Sequence, residues 1–338
     1  MRSTVGGRFL ESLLFAVSSL VLYLFGAGRV LFLVPLQVIS VRRGTAGIAA
    51  AGGIAVIALA AIRLAGLLPA PLEEGALLVS GAEVATFLLL AAGLAAANLR
   101  VAGARALVRL LAAAGGVCLA GAPLVAVLAA SPAVARLVDG VFADTSRMLQ
   151  SIFTTGDSVA GTVLEALIVP DMLKVMIREY LLHSFVLMVF ALLAFSWWAG
   201  SAAAARAPQP GAVPRWRFAA FRLEGWWLWP LIASLALVAA DFLGLGERAP
   251  GGWAAYASYA AWNAVLVLLF LFGLQGLAIL RFWLEKRGLA RFVWPLAVAV
   301  VLAALVTPRL NAVVAVVLPL FGASENWVRY RSSGAAAA

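Results

Sequence analysis

Long apolar stretches recur along this 338-residue chain and decide what it can fold into. About 20 apolar residues in a helix cross a hydrocarbon core, where an unpaired backbone group costs several kcal/mol and a helix pairs them all. That ruler predicts spans at 9–26, 29–41, 45–69, 75–98, 106–130, 182–205, 226–246, 257–280, 290–307 and 309–323. The second and the last are too short for a full crossing, which predicts half-helices or re-entrant pieces packed inside protein. With 64% hydrophobic and 12% charged residues, the polar skin of a soluble domain is missing. The expected fold class is all-α, a polytopic transmembrane helix bundle of about 8 to 10 membrane segments with an amphipathic outer-face helical segment.

The net charge of +10 comes almost wholly from arginine. In a membrane chain such an excess reports orientation before it reports nucleic acid, and no basic run with interleaved aromatics argues for the latter. If the segments alternate with the N-terminus inside, one side collects Arg2, Arg8, Arg42, Arg43, Arg100, Arg105, Arg109, Arg206, Arg215, Arg217, Arg222, Arg281, Lys286, Arg287, Arg291, Arg329 and Arg331. The other side keeps Arg29, Arg63, Arg136, Arg147, Lys174, Arg178, Arg248 and Arg309 with most of the acids, including Glu73, Glu74, Asp139, Asp144, Asp157, Glu165, Asp171, Glu179 and Glu247. Both termini are therefore expected in the cytoplasm, with the protein multi-pass in a bacterial inner membrane. Trp197, Trp198, Trp226, Trp227, Trp229, Trp253, Tyr256 and Tyr259 cluster at span ends, as an interfacial belt does; an aromatic binding box is the sharper alternative.

Residues 131–181 break the pattern. Val134, Leu137, Val138, Val141, Phe142, Met148, Leu149 and Phe153 recur three to four apart, predicting an amphipathic helix on the outer face. Thr154 to Asp157 interrupt it, a second helix ends near Pro170, and Asp171 is placed to cap a third that runs into the sixth span. The segment reads either as a solvated cap or as a lid over an outward cavity. Pro208, Pro210, Gly211 and Pro214 mark a linker between two bundles within 202–225. The expected organisation is N-terminal membrane helices over 1–130, outer-face helices over 131–181, C-terminal membrane helices over 182–331 and a disordered tail over 332–338.

Ionisable groups inside a membrane are costly, so each needs a partner or a watery cavity and marks a candidate site. Arg63, shortly before the outer end of the third span, and Glu83, shortly after the start of the fourth, come to one depth across a tight hairpin at 68–75. Asp241 and Asn263 do the same across the hairpin of the seventh and eighth spans. If the hairpins pack together, Arg63, Glu83, Asp241 and Asn263 form one outer polar cluster, suited to a cationic or hydroxyl-rich ligand or to proton coupling; the plainer alternative is that each only fixes its own hairpin. Gln37 beside Pro35, and Gln275 between Gly273 and Gly276, read as helix-packing positions, as do the small residues Gly47, Ala51 and Ala55 and, beside them, Ala49 and Gly53.

Chemistry finds little to work with. A single histidine, His183, excludes a multi-histidine metal site, Cys118 has no disulfide partner, and no GxSxG, HExxH or Walker sequence is present. No enzyme activity, catalytic residue, metal or cofactor is expected, and His183 reads as hydrogen-bonded packing.

Two stretches carry a resemblance. Arg29 to Gly44, with Pro35 and the Arg42-Arg43-Gly44 turn, and the C-terminal runs Phe272-Gly273-Leu274-Gln275-Gly276 and Leu320-Phe321-Gly322 with Trp327, Arg329 and Arg331, resemble the YybS-like family of uncharacterised bacterial membrane proteins. Ala323-Ser324-Glu325-Asn326 stands where that family often has an acid soon after the glycine. The family is similar in layout to the substrate-binding subunits of energy-coupling-factor transporters, whose ligand site opens outward. The same broad fold group includes envelope scaffolds related to the cell-shape protein MreD. The resemblance thus implies either transport-related binding of a small solute from the outer side, with a cytoplasmic or membrane protein partner, or a non-transporting scaffold of envelope biogenesis.

Overall fold

The computed structural model describes residues 5–67, 74–99, 105–153, 169–206, 218–244, 253–292, 295, 307–328 and 330–331. The hairpin turn after the third span, the break at Thr154 to Asp157 with the helix expected after it, the Pro-rich linker, most of 290–307 and the tail lie outside the described residues. Within them the chain forms ten α-helices: α1 Val5–Leu24, α2 Leu33–Arg43, α3 Thr45–Leu67, α4 Glu74–Asn98, α5 Ala106–Ala130, α6 Pro132–Phe153, α7 Pro170–Ala204, α8 Leu228–Phe242, α9 Trp253–Lys286 and α10 Pro308–Ser324. Seven helical stretches among the described residues are long and apolar enough to cross a membrane, and much of their surface is apolar and outward-facing, as lipid demands. The protein is a polytopic membrane helix bundle.

The chain divides into two compact units, Met1–Val213 and Pro214–Ala338, parted within the stretch whose prolines mark a linker. In the first unit the short second segment is α2, with Leu33, Leu36, Gln37, Val38, Ile39 and Ser40 all buried. Its ends show how it lies. Ser19 Oγ of α1 donates to the carbonyl of Phe32 at 2.6 Å, while Arg42 reaches Glu11 at 3.1 Å and Arg43 pairs with the same carboxylate. Eleven residues separate Ser19 from Arg8 and another eleven make up α2, so the helix runs antiparallel to α1 and returns to the Arg8 end. A 3-10 turn at Gly26–Val30 covers the rest of the distance.

Helix α3 then leaves the Arg8 end with its Gly47, Ala51, Ala55 and Leu59 face buried; the neighbouring face of Ala49 and Gly53 is exposed. Only the first of the two small-residue stripes therefore packs. A Cβ on Gly47 would lie 2.8 Å from that of Arg43, so glycine lets α2 and α3 meet closely. Helices α4 and α5 continue the alternation: Gly93 faces Val117 and Gly121 faces Leu89.

The amphipathic helix predicted after residue 131 is α6. Val134 and Ser146 are buried, Val138, Phe142 and Leu149 half-buried, and Leu137, Val141 and Met148 exposed, so the buried stripe is narrower than the sequence pattern. It sits by the Glu74 end of α4, where the backbone of Ala133 and the side chain of Leu137 approach Gly75. Helix α7 has 35 residues, about 52 Å against a core of about 30 Å, so one end projects beyond it. Lys174 there pairs with Asp139 of α6. Asp171 does not cap α7 as expected: Val169 is the N-cap, and Pro170, whose missing N–H is one of the unpaired donors of a first turn anyway, takes the opening position. Helix α7, whose membrane part sequence order groups with the C-terminal helices, packs in the first unit against α2, α4, α5 and α6.

In the second unit α8 and α9 share a core of Val238, Ala261 and Val265 with Trp262 and Leu269 against it. Helix α10 crosses α9 at backbone distance. A Cβ on Gly276 would collide with the carbonyl oxygen of Leu318, and one on Gly322 with that of Phe272. Trp226 and Trp227 stack at 4.2 Å with Trp226, Trp229 and Tyr256 exposed, which suits rings at a lipid interface.

Candidate functional site

Gly28 builds the site's first corner. Its Cα lies so close to α1 that a Cβ would stand 2.5 Å from the carbonyl oxygen of Leu22, so the 3-10 turn folds tightly back on the helix. Arg29 is thereby laid over Tyr23, its guanidinium 5.5 Å from the ring centroid and its Nε donating to the Tyr23 carbonyl at 3.3 Å. Below, Tyr23, Phe32 and Phe87 contact one another with centroids 4.9 to 5.1 Å apart, an aromatic floor joining α1, the residue that opens onto α2, and α4.

Glu83 of α4 rises beside this floor. Its Oε1 accepts from an Arg29 terminal nitrogen at 3.2 Å, and its Oε2 lies 2.7 Å from Arg63 Nε of α3. The second contact is an ion pair without hydrogen-bond alignment, since Arg63 Nε is buried and has no aligned acceptor. The Tyr23 hydroxyl donates to the Glu83 carbonyl at 3.3 Å, tying α1 to α4 at this level. Two guanidiniums thus face one carboxylate, at the end of the unit opposite Arg8. Glu83 is a quarter exposed, Arg63 a third and Arg29 about half.

The hairpin argument therefore brings Arg63 and Glu83 together but misses Arg29. The alternation of segments placed it on the same outer side as Arg63, and a Gly-Ala-Gly run directly before it offered a turn signal. With Arg29 included, the neutral Arg63–Glu83 pair becomes a trio of net charge +1.

Asp241 and Asn263 belong to the second unit. Asp241 Oδ2 accepts from Ser258 Oγ at 2.6 Å, closing the α8–α9 hairpin, and Asn263 Nδ2 donates to the Tyr259 carbonyl at 2.8 Å. His183 Nδ1 lies 2.6 Å from the Glu179 carbonyl oxygen one turn earlier, a local contact within α7.

Two further polar clusters are spent on packing. Gln37 and Asn98 exchange amide hydrogen bonds of 3.1 and 2.7 Å, and Gln37 Nε2 also donates to Ser201 Oγ at 3.2 Å, so α2, α4 and α7 are joined at the end near Arg8. Gly200 allows this, since a Cβ there would meet that of Gln37 at 2.5 Å. In the second unit Gln275 Oε1 accepts from the Leu223 N–H at 2.9 Å, and its Nε2 donates to the Gly322 carbonyl at 3.0 Å and to Glu325 at 2.9 Å. Glu325, 3% exposed, takes both its oxygens to Arg331, which also donates to the carbonyls of Ala219 at 2.6 Å and Phe221 at 2.9 Å. Among the described residues no group of three His, Cys, Asp or Glu is placed to hold a metal ion.

No family model matches the chain, and neither a curated protein nor a solved structure matches it.

Proposed function

We propose that this membrane protein binds a small solute from the outer side of a bacterial inner membrane, as a transport-related component, at the constellation of Arg29, Arg63 and Glu83. The observation that carries the reading is the convergence of three charged side chains from three segments, partly open and unequal in charge, in a bundle where each costs free energy to keep. The arginines at the other end, Arg8, Arg42, Arg43, Arg105 and Arg109, support a cytoplasmic side for that end under the positive-inside bias, and cytoplasmic termini are part of the same proposal. An energising cytoplasmic or membrane partner belongs to the same proposal, as does the reading of a binder and not an enzyme. Membership of the YybS-like family is part of the same proposal. A scaffold role is the second reading. It is favoured by the second unit, where Gln275, Glu325 and Arg331 satisfy one another and Gly276 and Gly322 bring helices into backbone contact.

Thermal unfolding of the detergent-purified protein against vitamins, nucleosides, amino acids and sugar phosphates tests the two readings. A native-state ligand raises the transition by mass action, by about 2.7 kcal/mol of stability at a hundred times its Kd. Stabilisation of wild type that Arg63→Gln abolishes supports solute binding at this site. Stabilisation by none of the panel favours the scaffold.

A further inference from the structure

The donors around Glu83 outnumber what one carboxylate can take. Arg29 commits its Nε to Tyr23 and one terminal nitrogen to Glu83. Arg63 meets the same carboxylate through Nε, which makes no aligned hydrogen bond there. The three side chains carry a net charge of +1. Guanidinium forks suit tetrahedral oxyanions, which accept two parallel N–H bonds from each fork. Tyr23 presses one face of Arg29, so less side-chain freedom is lost when a ligand arrives.

We propose that Arg29 and Arg63 form an anion site that takes a phosphate group, supplied either by a phosphomonoester solute or by the headgroup of an anionic lipid. Glu83 holds the two guanidiniums together in the empty site and opposes the incoming anion. The inference rests on the outer-side binding reading only where the phosphate belongs to a free solute.

Glu83 supplies a test with an unusual sign. A carboxylate that merely held the fold would weaken every property when removed. A carboxylate that competes with the ligand gives tighter binding in Glu83→Gln, by about tenfold for a partly screened charge a few ångströms away. Arg29→Gln loses charge-assisted bonds and binds about tenfold more weakly, and Arg29→Lys, which keeps the charge without the fork, falls between. Arg29 is about half exposed, so its variants fold even if Arg63→Gln does not.

The full chain is purified in detergent, and its unfolding temperature is followed against glycerol 3-phosphate, glycerol and choline chloride at matched ionic strength. A parallel series uses mixed micelles containing phosphatidylglycerol or phosphatidylcholine. A rise with glycerol 3-phosphate that is weakened in Arg29→Gln and strengthened in Glu83→Gln supports the anion site and the solute reading together. The same variant pattern with phosphatidylglycerol alone supports the anion site, with lipid as its ligand, and removes the solute reading. A rise with glycerol or choline that depends on Arg29 overturns the anion site and leaves the solute reading standing. No rise with either phosphate, a rise indifferent to Arg29, or weaker binding in Glu83→Gln overturns the proposal.

Discussion

The first unit keeps an open charge cluster and the second a closed one. Around Glu83 two arginines share one carboxylate, with donors to spare and side chains between a quarter and a half exposed. Around Glu325 one arginine meets one carboxylate, Gln275 and four backbone groups take up the remaining donors and acceptors, and the acid is nearly inaccessible. The same residue types serve both places. What separates them is whether the hydrogen-bonding capacity is used up: a satisfied buried network fixes a local structure, whereas an unbalanced and half-open one can still gain a partner.

If that contrast is right, the largest effect belongs to the closed cluster. Arg331→Ala leaves the Glu325 carboxylate buried without its counter-charge, and breaking such a pair costs about 3–5 kcal/mol. The variant is expected to lose its folded, monodisperse form on size-exclusion chromatography in detergent. A variant that elutes and melts like wild type would mean that the second unit does not depend on this network. Next comes the α9–α10 crossing. Gly322→Ala forces a methyl onto the Phe272 carbonyl, and such overpacking costs about 1–3 kcal/mol, read as a lower melting temperature. Gly53→Ala, on the exposed face of α3 with nothing near its Cβ, is the control and is expected to melt no lower than wild type.

Smaller again is the loss at Gln37. Replacing it with Leu removes the paired amide bonds to Asn98 and the bond to Ser201, while Asn98 keeps its bond to the Leu94 carbonyl. Interhelical polar contacts in membranes contribute about 0.6–2 kcal/mol, and a melting shift in that range is expected. A loss as large as that of Arg331→Ala would show that the first unit too has a closed network on which its fold depends.

How much of this was legible in the sequence follows from which forces are local. The long spans were, because lipid leaves the backbone no choice but a helix. The return of α2 was legible in part: its length predicted a short piece packed in protein, yet its register against α1 rests on Ser19, Glu11 and the Arg42–Arg43 turn acting together. Arg63 and Glu83 could be paired by counting residues from a hairpin, since rise per residue is fixed. Arg29 could not, because its position depends on how closely the Gly28 turn folds onto Leu22, a tertiary fact. The Glu325–Arg331 pair was hidden for a similar reason. Charges that follow a last apolar helix read as solvent-exposed, and only the approach of the 219–223 segment and Gln275 buries them. Gln275, Gly276 and Gly322 were visible as motif residues before it was visible that they meet.

The smallest expected change calibrates the rest. Lys174 of α7 and Asp139 of α6 form an ion pair in which both side chains are about half exposed, where the two helices run beside each other. Water screens such a pair, and ordering two flexible side chains offsets part of its Coulomb energy, so exposed pairs contribute about 0.2–1 kcal/mol. Lys174→Ala is therefore expected to leave the melting temperature nearly unchanged in high salt and to lower it slightly in low salt, where screening is weaker. The charge-swapped double variant, Lys174→Asp with Asp139→Lys, restores the pair and should recover that loss. If Lys174→Ala instead lowers stability as much as Gln37→Leu, at any ionic strength, the projecting end of α7 is held to α6 by more than a surface pair. The division into open and closed clusters would then need a third member where α6 and α7 meet.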